Sequence, residues 1–305
     1  MKKASDAKDE RRVLQKIFNR THSPLVMVTS NIGQKMIYTK LNDGRSMPLL
    51  GYGTYKVEGE VDPERCVSEA LEVGYRLIDT ATLYRNEGEI GRALSKCGIA
   101  RNELFITTKL WTDVTNEAQA FASAERSLKL LKLDYLDLLL IHWPTAHSVE
   151  VYEAMLKMRE QGLVKSVGVS NFKEHHLEQV ILASGVTPAV NQVELHPIFQ
   201  QKELRSYCNG KNIVVQAWSP LMRSVALNLD NLSAIAAKYN VTVAQLILRW
   251  DVQSGISTVP KTTNKSRMVE NFSLFDFEIS PDDMRQIELL DQNARQYRDP
   301  DNHGF

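Results

Sequence analysis

Short apolar segments alternate with longer amphipathic ones along most of this chain. From residue 49 onward, eight apolar runs have the length of buried strands, and the stretches between them repeat apolar residues at helical spacing. The predicted strands are Leu49–Thr54, Arg76–Asp79, Leu104–Thr108, Leu136–Ile141, Val164–Val169, Ala189–Val193, Ile213–Ala217 and Ser257–Val259. The predicted helices lie near Pro63–Val73, Glu87–Ser95, Ala118–Leu130, Tyr152–Glu160, His175–Ala183, Lys202–Cys208 and Val243–Trp250. This alternation indicates a protein of the α/β class.

A strand-helix order that repeats without interruption predicts a parallel sheet with right-handed crossovers. Eight such units fit a closed (β/α)8 barrel, the TIM barrel, better than an open sheet. Before the first unit, Met36–Leu41 and Ser46–Leu50 flank Asn42-Asp43-Gly44, which predicts a small N-terminal β-hairpin. Because no linker rich in proline, glycine or serine follows, residues 35–305 are predicted to form a single barrel domain.

The first 34 residues have a different character. Basic residues outnumber acidic ones in this segment, and the apolar residues between Val13 and Phe18 follow helical spacing. The apolar cluster Leu25–Val28 is too short for the core of a secretory signal peptide. We interpret residues 1–34 as a flexible, dispensable N-terminal extension, with organelle targeting as the alternative.

Composition narrows the classes of function. Among 305 residues, 37 Lys and Arg balance 37 Asp and Glu, and this zero net charge argues against a nucleic-acid-binding protein. No apolar run reaches the roughly 18–20 residues of a membrane span. The three cysteines have no C-x-x-C spacing, which is typical of unpaired thiols in a reducing compartment. We therefore expect a cytoplasmic monomer that acts on a small molecule, not on nucleic acid or a membrane.

Several common cofactor and metal motifs are absent from the sequence. Gly51-Tyr52-Gly53 lacks the third glycine of the G-x-G-x-x-G fingerprint, which an open-sheet dinucleotide site needs. No G-x-x-x-x-G-K-[ST] phosphate loop is present. Neither His142 with His147 nor the adjacent pair His175 and His176 has the spacing of a zinc site, so no metal is expected.

Four polar side chains follow three successive predicted strands, at their carboxyl ends: Asp79, Tyr84, Lys109 and His142. In a barrel these ends meet at one rim, where the active sites of this fold lie. The ordinary pKa of tyrosine, near 10, is high for a proton donor at neutral pH, and we expect the Lys109 ammonium to lower it. Asp79 would pair with Lys109, and His142 would orient a substrate carbonyl. Singly, each side chain also has a structural interpretation, as a helix cap, a packing group or a strand-end charge.

The same residues resemble a known family. Asp79-Thr80-Ala81-Thr82-Leu83-Tyr84-Arg85-Asn86-Glu87, followed by Gly91, resembles the D-T-A-x-x-Y-x-N-E-x-x-x-G signature of the aldo-keto reductases. Further blocks similar to this family are Gly168–Phe172, Val190–Glu194, and Val259–Thr262 with Arg267, Glu270 and Asn271. The resemblance runs from about Tyr38 to the C-terminus, and microbial and protist 2,5-diketogluconate reductases and prostaglandin F synthases are the most similar members.

The resemblance implies NADPH-dependent reduction of aldehydes and ketones, with Tyr84 as the proton donor, Lys109 and Asp79 tuning Tyr84, and His142 orienting the carbonyl. Residues that match cofactor-binding positions are Gly53, Thr54, Ser170, Asn171, Gln192, Trp218, Ser219, Leu221, Lys261, Thr262, Arg267, Glu270 and Asn271. Residues that match substrate-binding positions are Tyr55, Trp111, His142 and Trp143.

The chain departs from the family pattern beside the expected cofactor site. Trp218 stands where most members have a tyrosine that stacks on the nicotinamide, and an indole offers a larger face for the same stacking. Met222-Arg223 replaces the usual Gly-Ser or similar small residues, which changes the loop expected to close over the cofactor. Lys261 and Arg267 flank the start of a helix near Asn264, whose amides and dipole favour an anion such as the 2′-phosphate of NADPH.

Two other functions stay open at this point. One is a cofactor-binding regulatory barrel subunit with slow turnover, and the other is a barrel isomerase whose basic cluster binds a phosphorylated substrate. In the C-terminal stretch, Tyr297 and Phe305 are predicted to flank the pocket.

Overall fold

Three short antiparallel strands precede the barrel in the computed structural model, which describes residues 25–29, 35–59 and 61–304. They are β1 (Leu25–Thr29), β2 (Lys35–Lys40) and β3 (Ser46–Pro48), and β2 with β3 confirms the predicted hairpin. β1 pairs with β2 along its whole length, although we had placed it in the N-terminal extension. The helix predicted between Val13 and Phe18 lies outside the described residues, and the separation of residues 1–34 stays a prediction.

Eight parallel strands form the barrel, in the order of the chain. They are β4 (Gly51–Gly53), β5 (Leu77–Asp79), β6 (Phe105–Leu110), β7 (Leu136–Ile141), β8 (Val164–Ser170), β9 (Val190–Glu194), β10 (Val214–Trp218) and β11 (Ser257–Thr258). The apolar residues of these strands are buried from both sides, which is why strands such as β7 read as a nearly continuous apolar run in the sequence. The predicted (β/α)8 barrel is therefore confirmed.

Ten α-helices are described, and eight of them follow the barrel strands. They are α1 (Pro63–Val73), α2 (Glu87–Lys96), α3 (Glu117–Leu131), α4 (Ser148–Glu160), α5 (Glu174–Ser184), α6 (Lys202–Gly210), α7 (Asp230–Lys238), α8 (Val243–Gln253), α9 (Lys265–Phe272) and α10 (Pro281–Glu288). Local signals set their ends: the Asp62 side chain accepts a hydrogen bond from the Glu64 amide before α1, and Gly74 ends that helix with φ of 124°. The short helices α7 and α10 were not predicted.

The barrel closes between its first and last strands. The amide of Thr258 donates to the carbonyl of Leu49 at 2.7 Å, and the amide of Gly53 donates to the carbonyl of Pro260 at 3.0 Å. Gly53 has a steric reason to be glycine, since a Cβ there would lie 2.7 Å from the Val259 carbonyl oxygen. The close approach of the last strand is therefore enough to require glycine at this position, whether or not a ligand binds beside it.

The hairpin covers the amino-terminal end of the barrel. Leu41 and Met47 pack with Leu77 and Phe105, which begin β5 and β6. A hydrogen bond from the Asn42 side chain to the Pro188 carbonyl at 3.0 Å fixes the turn against the barrel. The opposite, carboxyl-terminal end remains for chemistry, as is usual in this fold. None of the described helices is long and apolar enough to cross a membrane.

Candidate active site

Lys109 and Asp79 form a buried ion pair at the carboxyl-terminal end of the barrel. Lys109 Nζ lies 2.6 Å from Asp79 Oδ1 and also donates to the Thr80 carbonyl at 2.8 Å. Lys109 is fully buried and Asp79 is 3% exposed, so water screens neither charge. Burial lowers the pKa of Lys109, and the Asp79 carboxylate opposes that shift. The pairing expected from the sequence is present.

Tyr84 ends a 3₁₀ turn directly above this ion pair. Its turn is tied to β6 by the Thr82 hydroxyl, which donates to the Lys109 carbonyl at 3.0 Å, and Lys109 Nζ lies 5.1 Å from the centre of the Tyr84 ring. We expected Lys109 to lower the pKa of Tyr84, and this expectation is wrong. Burial, followed by the charge of Asp79 and the nearby Tyr55, raises that pKa well above its ordinary value.

Loss of solvation explains this correction. It disfavours the Tyr84 phenolate, the negative charge of Asp79 adds to that effect, and together they outweigh the attraction of the Lys109 ammonium. Tyr84 therefore keeps its proton throughout the neutral pH range. The hydroxyl is ready to donate a proton in the absence of any bound ligand.

His142 directly follows β7 and completes the group. Its imidazole packs edge-on against the rings of Tyr84 and Trp111, with centroid distances of 5.7 and 5.0 Å. Burial, and then the charge of Lys109, lower the pKa of His142 well below its usual value, so the imidazole is neutral at pH 7. Tyr55 stands 5.0 Å from Tyr84, measured between ring centres, and is 45% exposed at the rim.

A chain of buried amides extends the site across the barrel interior. The side-chain amide of Gln192 donates to Asp79 Oδ2 at 2.7 Å and to Gln216 Oε1 at 2.6 Å. Gln216 in turn donates to the Ser257 hydroxyl at 2.9 Å. Sequence reasoning singled out Gln192 but missed Gln216 and Ser257. A polar residue inside the otherwise apolar β10 was a signal that could have found Gln216, whereas β11 is Ser-Thr and offered no such contrast for Ser257.

Ser170, Asn171 and Trp218 meet beside this network. Trp218 donates its indole N–H to Asn171 Oδ1 at 2.9 Å, and the Asn171 amide nitrogen donates to the His142 carbonyl at 2.9 Å. The Ser170 hydroxyl donates to the Gln192 carbonyl at 2.8 Å. The left-handed φ of 64° at Asn171 places its side chain between these strand ends, and asparagine tolerates that conformation well.

The loop after β10 is held in an unusual backbone conformation. Met222, Arg223 and Ser224 all have positive φ, of 51°, 50° and 74°. The Arg223 guanidinium lies 4.7 Å above the centre of the Tyr297 ring, and that ring is 4.8 Å from Trp218. The predicted departure of this loop from the family pattern thus corresponds to three strained residues.

Two exposed cations stand near the start of α9. Lys261 and Arg267 form no side-chain hydrogen bond or ion pair with any residue in the described ranges, whereas their neighbour Lys265 pairs with Glu72 at 2.7 Å. Asn264 Oδ1 accepts hydrogen bonds from the amides of Ser266 and Arg267. We expected these amides to receive an anion, but the asparagine side chain already caps them, which leaves the two cationic side chains for that purpose.

The model of the aldo/keto reductase family matches residues 49–292. The chain belongs to the aldo/keto reductase family. Glyoxal reductase of Bacillus subtilis (strain 168) is 45% identical over 263 residues, which are 86% of this chain and 95% of that protein. The 9,11-endoperoxide prostaglandin H2 reductase of Trypanosoma cruzi is 42% identical over 266 residues, 86% of this chain and 94% of that protein.

A solved structure with bound NADPH is also similar to this chain. The crystal structure of a mutant of Gox0644 in complex with NADPH is similar to this chain with a TM-score of 0.84 and 39% sequence identity. The similarity covers 88% of this chain and 98% of that one. The described barrel therefore agrees with that NADPH-bound structure over nearly its full length.

Four more residues of this aldo/keto reductase that match cofactor-binding positions differ in their surroundings. Glu270 accepts a hydrogen bond from the Thr242 hydroxyl at 2.9 Å, and the Thr262 hydroxyl accepts one from the Asn264 amide at 3.2 Å. Asn271 is 4% exposed, and its side-chain amide forms no hydrogen bond with a described residue. The Thr54 hydroxyl already donates a hydrogen bond within the barrel, to the Asp79 carbonyl at 2.9 Å.

The last described residues border the aromatic side of the site. His303 lies 5.3 Å from Trp143 between ring centres and contacts the Pro144 carbonyl at 2.7 Å through a ring nitrogen. Ser219 contacts the hydroxyl of Tyr297 at 3.3 Å, and Leu221 is half-buried against the core. The predicted place of Tyr297 beside the pocket stays a prediction, and Phe305 lies outside the described residues.

Three potential metal ligands also converge near the C-terminus. Ligand atoms of His175, His176 and Asp301 all lie within 4.8 Å of one another. However, Lys173 Nζ is 2.6 Å from Asp301 Oδ2, and the Lys173 amide donates to His176 Nδ1, which leaves the proton of the neutral ring on Nε2. These contacts make the cluster an anchor for the C-terminal segment, and the expectation that no metal binds stays a prediction.

Proposed function

We propose that this aldo/keto reductase reduces aldehydes and ketones to alcohols with NADPH. The single observation that carries the proposal is the position of Tyr84, whose ring centre lies 5.1 Å from Nζ of the buried Lys109–Asp79 pair and 5.7 Å from the His142 ring. A reduction needs a proton donor at the carbonyl oxygen, and a general acid in a reacting position contributes about 10²–10⁴-fold in rate. The family and its NADPH-bound relative support this reaction class.

Each side chain has a defined part in the proposed reaction. The Tyr84 hydroxyl donates its proton to the substrate oxygen as negative charge develops there. Lys109, held by Asp79 and the Thr80 carbonyl, stabilises the phenolate that is left behind. His142 donates a hydrogen bond from its neutral imidazole to the same oxygen and so orients the carbonyl. Tyr55, Trp111 and Trp143 form aromatic walls that exclude water.

The residues matched to cofactor-binding positions fit NADPH in two places. Lys261 and Arg267 offer charge to a 2′-phosphate, and the buried amide of Asn271 has donors and an acceptor to give to a purine. At the reacting end, Ser170, Asn171 and Gln192 offer hydrogen bonds to a carboxamide, and Trp218 offers an aromatic face. When bound there, NADPH supplies the hydride.

One hydrogen bond must change for this fit. The indole N–H of Trp218 now donates to Asn171 Oδ1, the atom that a carboxamide would use as an acceptor. A carboxamide N–H bound there would take the place of the indole N–H at that oxygen, and Trp218 would then offer its aromatic face to the nicotinamide ring. We propose that Gly53, Thr54, Ser219 and Leu221 line the path between the two ends, with Thr262 and Glu270 shaping the purine side.

The substrate class is proposed from the relatives. Glyoxal reductase and methylglyoxal reductase DkgA of Escherichia coli (strain K12) are both reductases of short 2-oxoaldehydes by name. Short 2-oxoaldehydes and simple aromatic aldehydes are therefore the first substrates to test. We further propose a cytoplasmic monomer, in keeping with Cys66, Cys97 and Cys208, none of which forms a disulfide.

A substrate panel with NADPH and NADH side by side tests the proposal. The expected result is steady oxidation of NADPH with methylglyoxal or benzaldehyde, faster than with NADH. Tight binding of NADPH, seen as quenched tryptophan fluorescence, without turnover of any carbonyl would favour a regulatory subunit instead. Absence of NADPH binding would favour an isomerase.

A further inference from the structure

The C-terminal segment of residues 295–304 has an anchor inside the barrel. Glu194 ends β9, two residues after Gln192, and its side chain is fully buried. One oxygen of its carboxylate accepts the amide N–H of Gln296 at 2.7 Å, and the other accepts the amide N–H of Tyr297 at 3.2 Å. We propose that Glu194 is a positioning residue that holds this segment against the substrate and cofactor side of the site.

Two further polar side chains face the Glu194 carboxylate. His196 Nε2 lies 3.1 Å from Oε1, and Arg295 Nη1 lies 3.9 Å from Oε2. A fully buried carboxylate is costly unless charged or polar hydrogen atoms surround it, and here two of the donors are backbone amides of one segment. Residues 291–304 contain neither helix nor strand, so these hydrogen bonds replace the internal ones that regular structure would supply.

The anchored segment contacts both sides of the site. Tyr297, whose amide Glu194 holds, packs 4.8 Å from Trp218 and contacts the Ser219 hydroxyl at 3.3 Å. Six residues later, His303 packs 5.3 Å from Trp143. The segment therefore runs from the cofactor side to the aromatic wall, and Glu194 acts on both through it.

The segment's ion pairs with Lys173 are weaker by their position. Lys173 Nζ lies 2.7 Å from Asp299 and 2.6 Å from Asp301, but these carboxylates are 44% and 37% exposed. Ion pairs in contact with water contribute little to stability, whereas hydrogen bonds to a buried charge are strong. Glu194 is thus the attachment that fixes the segment beside Trp218.

The Glu194→Gln variant tests this inference, which rests on the proposed function. Glutamine keeps the shape of the side chain but carries no charge. Its side-chain N–H group would face one of the two backbone N–H donors, which then loses its acceptor. Because the segment touches Trp218 and Trp143 but not Tyr84 or Lys109, we expect KM for methylglyoxal to rise about tenfold. The value of kcat should change by less than about threefold.

Hydrogen–deuterium exchange gives a readout that does not depend on activity. In Glu194→Gln, exchange within residues 295–304 should rise at least about tenfold while the barrel strands keep their protection. Asp283→Asn is the matched control, because Asp283 is also a buried carboxylate with several donors but lies at the start of α10. This control should lower the melting temperature without raising KM or loosening the segment.

Gln296→Pro serves if Glu194→Gln does not fold, because it removes one donor from an exposed residue and leaves the barrel unchanged. It should reproduce the rise in exchange and in KM. Unchanged exchange at residues 295–304, or an unchanged KM, in the folded variant would overturn the positioning role. If the wild-type chain reduces no carbonyl, the proposed function fails, while the exchange experiment still decides whether Glu194 holds the segment.

Discussion

The two sides of the site are built in opposite ways. On the side of β5, β6 and β7, Asp79, Lys109 and His142 are buried at strand ends, and two of them are already joined by an ion pair. On the cofactor side, the loop after β10 has strained backbone, and Lys261 and Arg267 are exposed. The difference shows which part of the reaction requires side chains that are fixed in place before any ligand binds.

Proton transfer depends on small distances, so its groups gain from rigid strand ends that water does not reach. A long dinucleotide must enter and leave, so groups proposed to bind its phosphates gain from exposure. Substitutions on the strand side should therefore cause large changes in activity and stability. Substitutions on the cofactor side should cause smaller changes, mainly in the binding of one ligand.

Tyr84→Phe should show the largest effect. Without the hydroxyl there is no proton donor at the carbonyl oxygen, and kcat for aldehyde reduction should fall by about 10²–10⁴-fold. NADPH affinity, measured by fluorescence titration, should change little, because the hydroxyl contacts the substrate rather than the cofactor. A variant that retains more than half of the wild-type turnover would remove Tyr84 from the reaction.

Lys109→Met should damage both activity and stability. It leaves the Asp79 carboxylate buried without its partner, which typically costs about 3–5 kcal/mol in the free energy of unfolding. The double variant with Asp79→Asn should recover much of that stability in urea denaturation but none of the turnover. Recovery of turnover together with stability would show that the ion pair serves folding alone.

Arg267→Ala should affect one cofactor and not the other. A charge-assisted contact is worth about 1.5–3 kcal/mol, so Kd for NADPH should rise by about 10–100-fold while Kd for NADH hardly changes. Lys265→Ala is the control on the same helix, because Lys265 pairs with Glu72 instead. Equal weakening of both cofactors would contradict the assignment of Arg267 to the 2′-phosphate.

Ser224→Gly should have a modest effect on the loop. Ser224 has φ of 74°, a region that glycine adopts without strain, so the substitution should stabilise the fold by about 0.5–1 kcal/mol. Thermal denaturation checks this against Ser254→Gly, where φ is −85° and no gain is expected. A lower melting temperature for Ser224→Gly would show that the serine side chain, not its backbone, matters.

The pH profile should show the smallest change. The pKa of Tyr84 is raised and that of His142 is lowered, so neither group titrates near neutrality. With saturating NADPH, kcat should stay within about twofold between pH 6.5 and 9. A midpoint inside that window, lost in Tyr84→Phe, would contradict the raised pKa of Tyr84.

Most of the fold could be predicted because the strands of a parallel barrel are buried on both faces. Strands such as β7 appear in the sequence as apolar runs, and Asp79, Lys109 and His142 stand out near the ends of their strands. The direction of the pKa shift of Tyr84 could not be predicted, since it depends on burial and on the distance from Lys109 to Asp79. Glu194 belongs to a recognised motif, but its partners lie 102 and 103 residues further along the chain, beyond the reach of any local pattern.

The closure of the barrel between β4 and β11 has a consequence for the synthesis of the protein. Ser257 completes the interior amide chain and contacts the Pro48 carbonyl, a residue 209 positions earlier. During synthesis at about 5–20 residues per second, β4 therefore waits many seconds with an open edge before β11 emerges from the ribosome. Until then the polar network behind Asp79 lacks its last member, and the open edge of β4 is available for pairing with other chains.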